Sequence, residues 1–304
     1  MKKRGLILIA LVLILIIISG CAQIQNLPKP NSPFSSKKQI IESKGLSIKF
    51  RENQPPSEIF AGKYFKLSLE LTNNDPEEVS GTIHVSDTPS DEFSSLKGKE
   101  QQSFSLPPAE VLAEGTQKIS SLIPSAEIIS FGPYQYSLEK AFPGMVTNFI
   151  FEIITNHKVL IPAQICVSSK EQSKCLVKET ITNFGPRSGY SPVSVTSIEK
   201  TLIPEENNAA SLILKINIKN TGRGKIDNEE QILDSFEINL RGASNLDCSK
   251  NKISLKQGEN NVVCTAEVAV SDELFRQDIL EISYQYPYKI IETLGPIRVT
   301  KLET

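Results

Sequence analysis

Cysteine and histidine are the residues best equipped for chemistry in this 304-residue chain, and their spacing limits what they can do. Cys21 closes a wholly apolar run, while Cys166, Cys175, Cys248 and Cys264 fall into two close pairs much further along. Zinc sites need clustered ligands a few residues apart. No C-x-x-C occurs, and His84 and His157 are far from both cysteine pairs. His84 falls on the polar face of an alternating segment, and His157 falls in "TNHK", which reads as a solvated turn. Neither is therefore expected to act as a general acid or base. A G-x-S-x-G elbow, a P-loop, a G-x-G-x-x-G turn and an H-E-x-x-H helix are all missing from the sequence.

Carboxylates are harder to dismiss, because any two acids can meet in space and do glycosidase-like work. Asp87, Asp91 and Glu92 form a small acidic cluster around Pro89-Ser90. It lacks the oxygen-ligand spacing of a calcium loop, and reads as a solvated turn or a contact surface. Tyr284, Tyr286 and Tyr288 share one parity and so one face of a strand. They line either a core or an exposed aromatic patch for sugar or protein contact, and Pro287 favours an edge or bulge there. No metal or cofactor is expected.

The fate of Cys21 decides the compartment. Met1-Lys2-Lys3-Arg4 precedes thirteen apolar residues, Leu6 to Ile18, and then Ser19-Gly20-Cys21. A basic start, a short apolar run and small residues at a break have the form of a secretory signal. A membrane-spanning helix wants about 20 apolar residues, so the run is short. Ile18-Ser19-Gly20-Cys21 resembles the lipobox of prokaryotic lipoproteins, and that resemblance implies a diacylglycerylated Cys21 with cleavage just before it. Two other readings stand beside this one: an uncleaved signal anchor, and a pilin-like leader cut after Gly5. All three place the residues after Cys21 outside the cytoplasm, because the basic cluster stays inside.

Loss of residues 1–20 would remove Lys2, Lys3 and Arg4 and move the formal charge from −2 to −5. That balance offers no basic stripe for nucleic acid. Once Cys21 is assigned to lipid, the other four cysteines make an even set in a disulfide-permissive compartment. Cys166 and Cys175 lie symmetrically about a strand–turn–strand pattern, where opposed residues come close enough to bridge. Cys248 and Cys264 lie on neighbouring segments. The expected pairs are Cys166–Cys175 and Cys248–Cys264.

These side chains must be positioned by strands. Residues 21–44 are rich in Pro and Ser and read as a linker. From Gly45 the apolar period is two: "YFKLSLELTN" sets Phe65, Leu67, Leu69 and Leu71 on one face, and "GTIHVSD", "NFIFEIITN" and "HKVLIPAQICV" continue the pattern. Residues 88–145 read as long loops with a few short strands, laid over or inserted into the first sheet pair. "NFGPRSGYSP", residues 183–192, marks a domain boundary. "ASLILKINIKNTGRGKI" restarts the alternation, and "SFEINLRG", "NNVVCTAEVAV", "ILEISYQYPYKI" and "IRVTKL" follow at sandwich spacing. "LELTNND" also matches "INIKNTG", each an alternating strand that ends in asparagine and a turn.

Residues 195–226, with the Asn220-Thr221-Gly222 turn, resemble the opening of immunoglobulin-like domains of the cell-adhesion-related (CARDB-like) type found in bacterial and archaeal surface proteins. The resemblance implies β-sandwiches and a role in surface display or adhesion. The expectation is an all-β chain: an N-terminal apolar helix and linker, then two immunoglobulin-like antiparallel sandwiches at 45–182 and 192–304. The second would fold alone. The expected function is a membrane-tethered, non-catalytic binding or adhesion module that meets another surface protein or a glycan. A carboxylate-dependent hydrolase or accessory subunit and a pilin-like filament subunit are the alternatives.

Overall fold

The computed structural model describes residues 40–42, 44–88, 93–96, 100–113, 120–168, 175–184, 190–206, 208–233, 235–243, 245–270 and 275–301. Every regular element among them is a strand, and the fold is all-β. The first ten strands are β1 (Ile40–Glu42), β2 (Leu46–Phe50), β3 (Glu58–Phe60), β4 (Tyr64–Asn73), β5 (Val79–Asp87), β6 (Glu100–Leu106), β7 (Glu110–Ala113), β8 (Ser120–Ile123), β9 (Ser125–Gln135) and β10 (Val146–Val167). Then come β11 (Lys178–Ile181), β12 (Val193–Pro204), β13 (Ala209–Asn220), β14 (Lys225–Ile226), β15 (Ile232–Leu233), β16 (Glu237–Leu240), β17 (Leu246–Cys248), β18 (Ile253–Ser254), β19 (Glu259–Ala269) and β20 (Arg276–Thr300).

The two longest strands organise the rest. β10 and β20 pair antiparallel from Val146 opposite Arg298 to Val167 opposite Arg276. At roughly 3.4 Å per residue this ladder is about 70 Å long. One face of it is inward throughout: every odd residue from Phe149 to Ile165 and every even residue from Leu280 to Ile290 is buried. A seven-stranded sheet grows from the ladder in the order β14-β20-β10-β5-β6, with β16 and β3 also on β20.

Two shorter sheets lie on that inward face. The four-stranded sheet β1-β2-β4-β9 covers the end where β10 carries β5 and β6. Its aromatic side chains meet those of β10, Phe50 to Phe151 at 5.0 Å and Phe65 to Phe149 at 5.7 Å between ring centroids. The five-stranded sheet β11-β12-β13-β19-β17 covers the other end. There the Tyr284 hydroxyl donates to the Val193 carbonyl at 3.0 Å, and the Val193 N–H donates to the Tyr286 hydroxyl at 2.9 Å.

Prolines sit where the ladder can spare an N–H. β5 leaves β10 at Asn156, so Pro162 has β20 on one side only. Pro287 lies in the gap on β20 between β14, which pairs Tyr288 and Lys289, and β16, which pairs from Ser283 onward. Gly295-Pro296 lies at a register shift opposite Thr147 and Phe149, and beyond it the buried parity flips to Ile297 and Val299.

Two expectations are corrected by the pairing. The described part of residues 88–145 carries more than a few short strands: β9 is an eleven-residue strand beside β4, and Ile129, Phe131 and Tyr134 enter the core with Phe104 and Leu106 of β6. Residues 183–192 fall between β11 and β12, yet these strands pair with each other. β10 and β20, from either side of that segment, serve both layer packings. Residues 38–304 accordingly form one compact unit.

Candidate functional site

Both expected disulfides are formed. Cys248 stands directly opposite Cys264 in the β17–β19 pair, with Cα atoms 4.0 Å apart. Cys166 and Cys175 are joined at a Cα separation of 5.5 Å, but they are not opposed residues of a hairpin. Cys166 faces Gln277 of β20, and Cys175 leads into β11, which pairs with β12. The bridge therefore ties the long sheet to the five-stranded sheet. Lys200 of β12 reinforces the same joint. It is 1% exposed, its Nζ donates to the Cys166 carbonyl at 2.8 Å, and it meets Glu179 Oε2 at 3.1 Å. A buried ammonium needs such partners. Lys200 shares the inward parity of Ile198 and Leu202, which was the sequence signal for it.

The acidic turn is only partly described. Asp91, Glu92 and Cys21 lie outside the described residues. Asp87 closes β5 and is half-buried. The fully buried Tyr136 donates its hydroxyl proton to Asp87 Oδ2 at 2.8 Å and lies 2.8 Å from the Thr147 hydroxyl. Burial holds the Tyr136 phenol well above its ordinary pKa, so it stays protonated and Asp87 anchors this corner. His84 sits on β5 between Glu152 and Gln101, partly exposed.

The tyrosines and His157 depart furthest from expectation. Tyr284, Tyr286 and Tyr288 are 2%, 3% and 0% exposed, so they are a core stripe and no contact patch. His157 is no turn residue: it lies mid-β10, opposite Tyr286, and is 3% exposed. Its ring stacks on Tyr286 at 5.4 Å and meets the edge of Tyr288 at 6.0 Å, and Nε2 lies 2.9 Å from the Thr155 hydroxyl. Burial lowers its pKa to about 4, which leaves a neutral imidazole.

This polar centre sits where the two shorter sheets meet over the ladder. Loops at the strand ends close it. Gly45 has a φ of +80°, and a Cβ there would lie 3.1 Å from the Tyr190 carbonyl oxygen, with Asp75 Oδ2 and His157 Cε1 in ordinary contact at 3.5 Å. Asp75 is 5% exposed, and burial raises its pKa to about 6. Its Oδ1 accepts from the Glu77 N–H at 3.1 Å. Ser191 shares a short hydrogen bond with the Tyr286 hydroxyl, and the Tyr288 hydroxyl donates to Asn220 Oδ1 at 3.0 Å. Burial pushes Tyr288 up to about 12. No buried side-chain nitrogen or oxygen among the described residues lacks a partner. The centre is a hydrogen-bonded joint with its donors and acceptors already engaged.

Open polar surface lies elsewhere. A cleft of ≈770 Å³ on the five-stranded sheet is lined by Thr196, Ser197, Asn217, Gln257, Glu259 and Asn261, among others. β12 bulges there between Val195 and Ser197. Beside it, Lys215 and Asn217 hydrogen-bond Glu199 and hold its carboxyl below the usual range. Amides, hydroxyls and single charges in such a cleft can hydrogen-bond a hydroxyl-rich or peptide ligand. Among the described residues no three His, Cys, Asp or Glu side chains gather as a metal would need.

The sequence matches no protein-family model and shows no significant similarity to a curated protein.

Proposed function

We propose that this chain is a membrane-tethered, extracytoplasmic recognition module without catalytic activity, built from two immunoglobulin-like units. The observation that carries the reading is the pair of disulfides, which mark an oxidising compartment, downstream of a basic, apolar, cysteine-ended N-terminus. Strand order supports the immunoglobulin-like assignment. β2, β4 and β9 take the places of strands A, B and E, against β5, β10 and β20 as C, F and G. In the second unit β12, β13 and β19 face β16, β20 and β10. Each long strand is thus F of one unit and G of the other.

A repeated turn supports duplication. Asn73 Oδ1 accepts from the N–H two residues on, and its Nδ2 donates to the carbonyl four residues on. Asn220 does the same with Gly222 and Gly224. These are the asparagines of the "LELTNND" and "INIKNTG" match. Recognition of a surface protein or glycan falls to the open cleft of the five-stranded sheet.

Intact mass of the protein extracted from its native membrane tests the tether. The expected species begins at an acylated Cys21; a chain that keeps residues 1–20 and a free Cys21 thiol contradicts it. Hydrolysis of glycan or peptide that is lost in Asp87→Asn contradicts the non-catalytic reading.

A further inference from the structure

Five exposed apolar side chains gather at one end of the ladder. Tyr64 is 73% exposed, Phe142 52%, Val146 49%, Leu138 41% and Phe60 38%. They stand at the end of β3, at the starts of β4 and β10 and in the segment between β9 and β10, which backbone hydrogen bonds stitch together. Lys63 N–H donates to the Phe60 carbonyl, Gly62 N–H to Tyr136, and Met145 N–H to Phe142. Val299 N–H donates to Met145, which brings in the end of β20. Leu138 packs over Gly62, and Phe142 meets Phe93 edge-on at 6.2 Å. Elsewhere exposed aliphatic residues such as Leu160 and Ile291 stand on the solvent face of the ladder. Single exposed apolar residues need no explanation, whereas a contiguous group marks a binding surface.

The path of the chain indicates what covers this tip. β2 runs from Leu46, opposite Asn73, to Phe50, opposite Leu69, and so runs toward the end where β4 begins. β1 is antiparallel to it, with Ile40 opposite Lys49, so Ile40, the first described residue, is the end of β1 nearer the tip. Only residues 22–39 separate Ile40 from Cys21 and the apolar run. Eighteen residues span at most about 60 Å when fully extended, which keeps the tip within reach of whatever holds the N-terminus. Lys63, Lys66 and Lys140 are exposed around the patch beside Glu139. Tyrosine with flanking lysine suits the headgroup layer of a bilayer, where ring and alkyl chain enter and the polar end stays wet.

We infer that this tip seats on the lipid surface to which the N-terminal segment is anchored, with Tyr64 and Phe142 entering the interface. The inference rests on the tethered reading. The chain has no tryptophan, so Phe142→Trp provides a single reporter in the full-length protein, and Tyr64→Trp a second. Phe275→Trp, at the opposite end of the ladder beside Arg276, is the control. Each variant is reconstituted into phosphatidylcholine vesicles with brominated acyl chains. The expected result is blue-shifted, strongly quenched emission at 142 and 64 and unquenched emission at 275. Unquenched emission at 142 and 64 from protein that floats with the vesicles overturns the docking and leaves the tether standing. Protein that does not float with vesicles overturns the tether itself. A blue shift without lipid that grows with protein concentration identifies a second copy as the occupant and also overturns the docking.

Discussion

The two ends of the β10–β20 ladder carry the same kind of layer packing, held in different ways. At the first end the long sheet is broad, with β5 and β6 alongside β10, and its core is aromatic: Phe50, Phe65, Phe131, Phe149 and Phe151 interlock. At the second end the long sheet is narrow, since β16 contributes four residues and β14 two. The core there is aliphatic around a tyrosine stripe, and both disulfides lie on this side. The contrast teaches that covalent links and the buried Lys200 stand where strand pairing is thin. It also shows that neither end owns its sheet, because each borrows a strand from the other half of the chain.

That borrowing predicts the largest effect. Residues 192–304 alone should not fold, because β20 would lose β10 along its whole length, and far-UV circular dichroism with amide dispersion would report an unstructured chain. A folded fragment would restore two independent domains. Within the intact protein, Phe151→Ala should cost about 3–5 kcal/mol, the range for a buried phenylalanine. Denaturant unfolding followed from both ends would show that loss in one shared transition.

The covalent link at the thinner end should matter less. Replacing Cys166 and Cys175 together by serine should cost up to about 3 kcal/mol by loop entropy. Hydrogen exchange should rise first in β11 and its joint to β10, with the aromatic end unchanged.

Acid separates the two buried titrating groups of the joint. His157 has a folded pKa of about 4, below its unfolded value, so its contribution is complete above about 6.5 and is lost as pH falls through 4. Asp75 has a folded pKa of about 6, above its unfolded value, so its contribution is complete below about 3.8 and is lost as pH rises through 6. The two slopes oppose each other between pH 4 and 6. As pH falls from 7 to 4, the stability of His157→Phe relative to the parent should therefore rise, and that of Asp75→Asn should fall, by about 2–3 kcal/mol each. Parallel slopes for both variants would show that the groups do not titrate as the burial implies.

Much of the strand layout was legible as alternation. β4 coincides with "YFKLSLELTN" and β13 takes in the whole of "ASLILKINIKN", because a half-buried strand writes its own period. Continuity was also written but harder to read. "NFIFEIITN" and "HKVLIPAQICV" keep one parity through Thr155 and His157, and only the assumption that polar residues face water split them. β9 was missed because Gly132-Pro133 interrupts its alternation, with a matching register shift between Phe65 and Leu67. Partners were not legible at all. Periodicity reports which face a residue takes, not which strand lies beside it, so a cystine that links sheets was read as one within a hairpin.

The most direct test of a single unit built on a shared ladder is two-probe unfolding. Phe104→Trp in β6 and Phe236→Trp ahead of β16 place one reporter at each end of a chain that has no tryptophan of its own. Urea titration of each variant, followed by fluorescence and by circular dichroism, should give coincident midpoints and equal slopes. Separate midpoints, with one end melting while the other keeps its sheet, would contradict it.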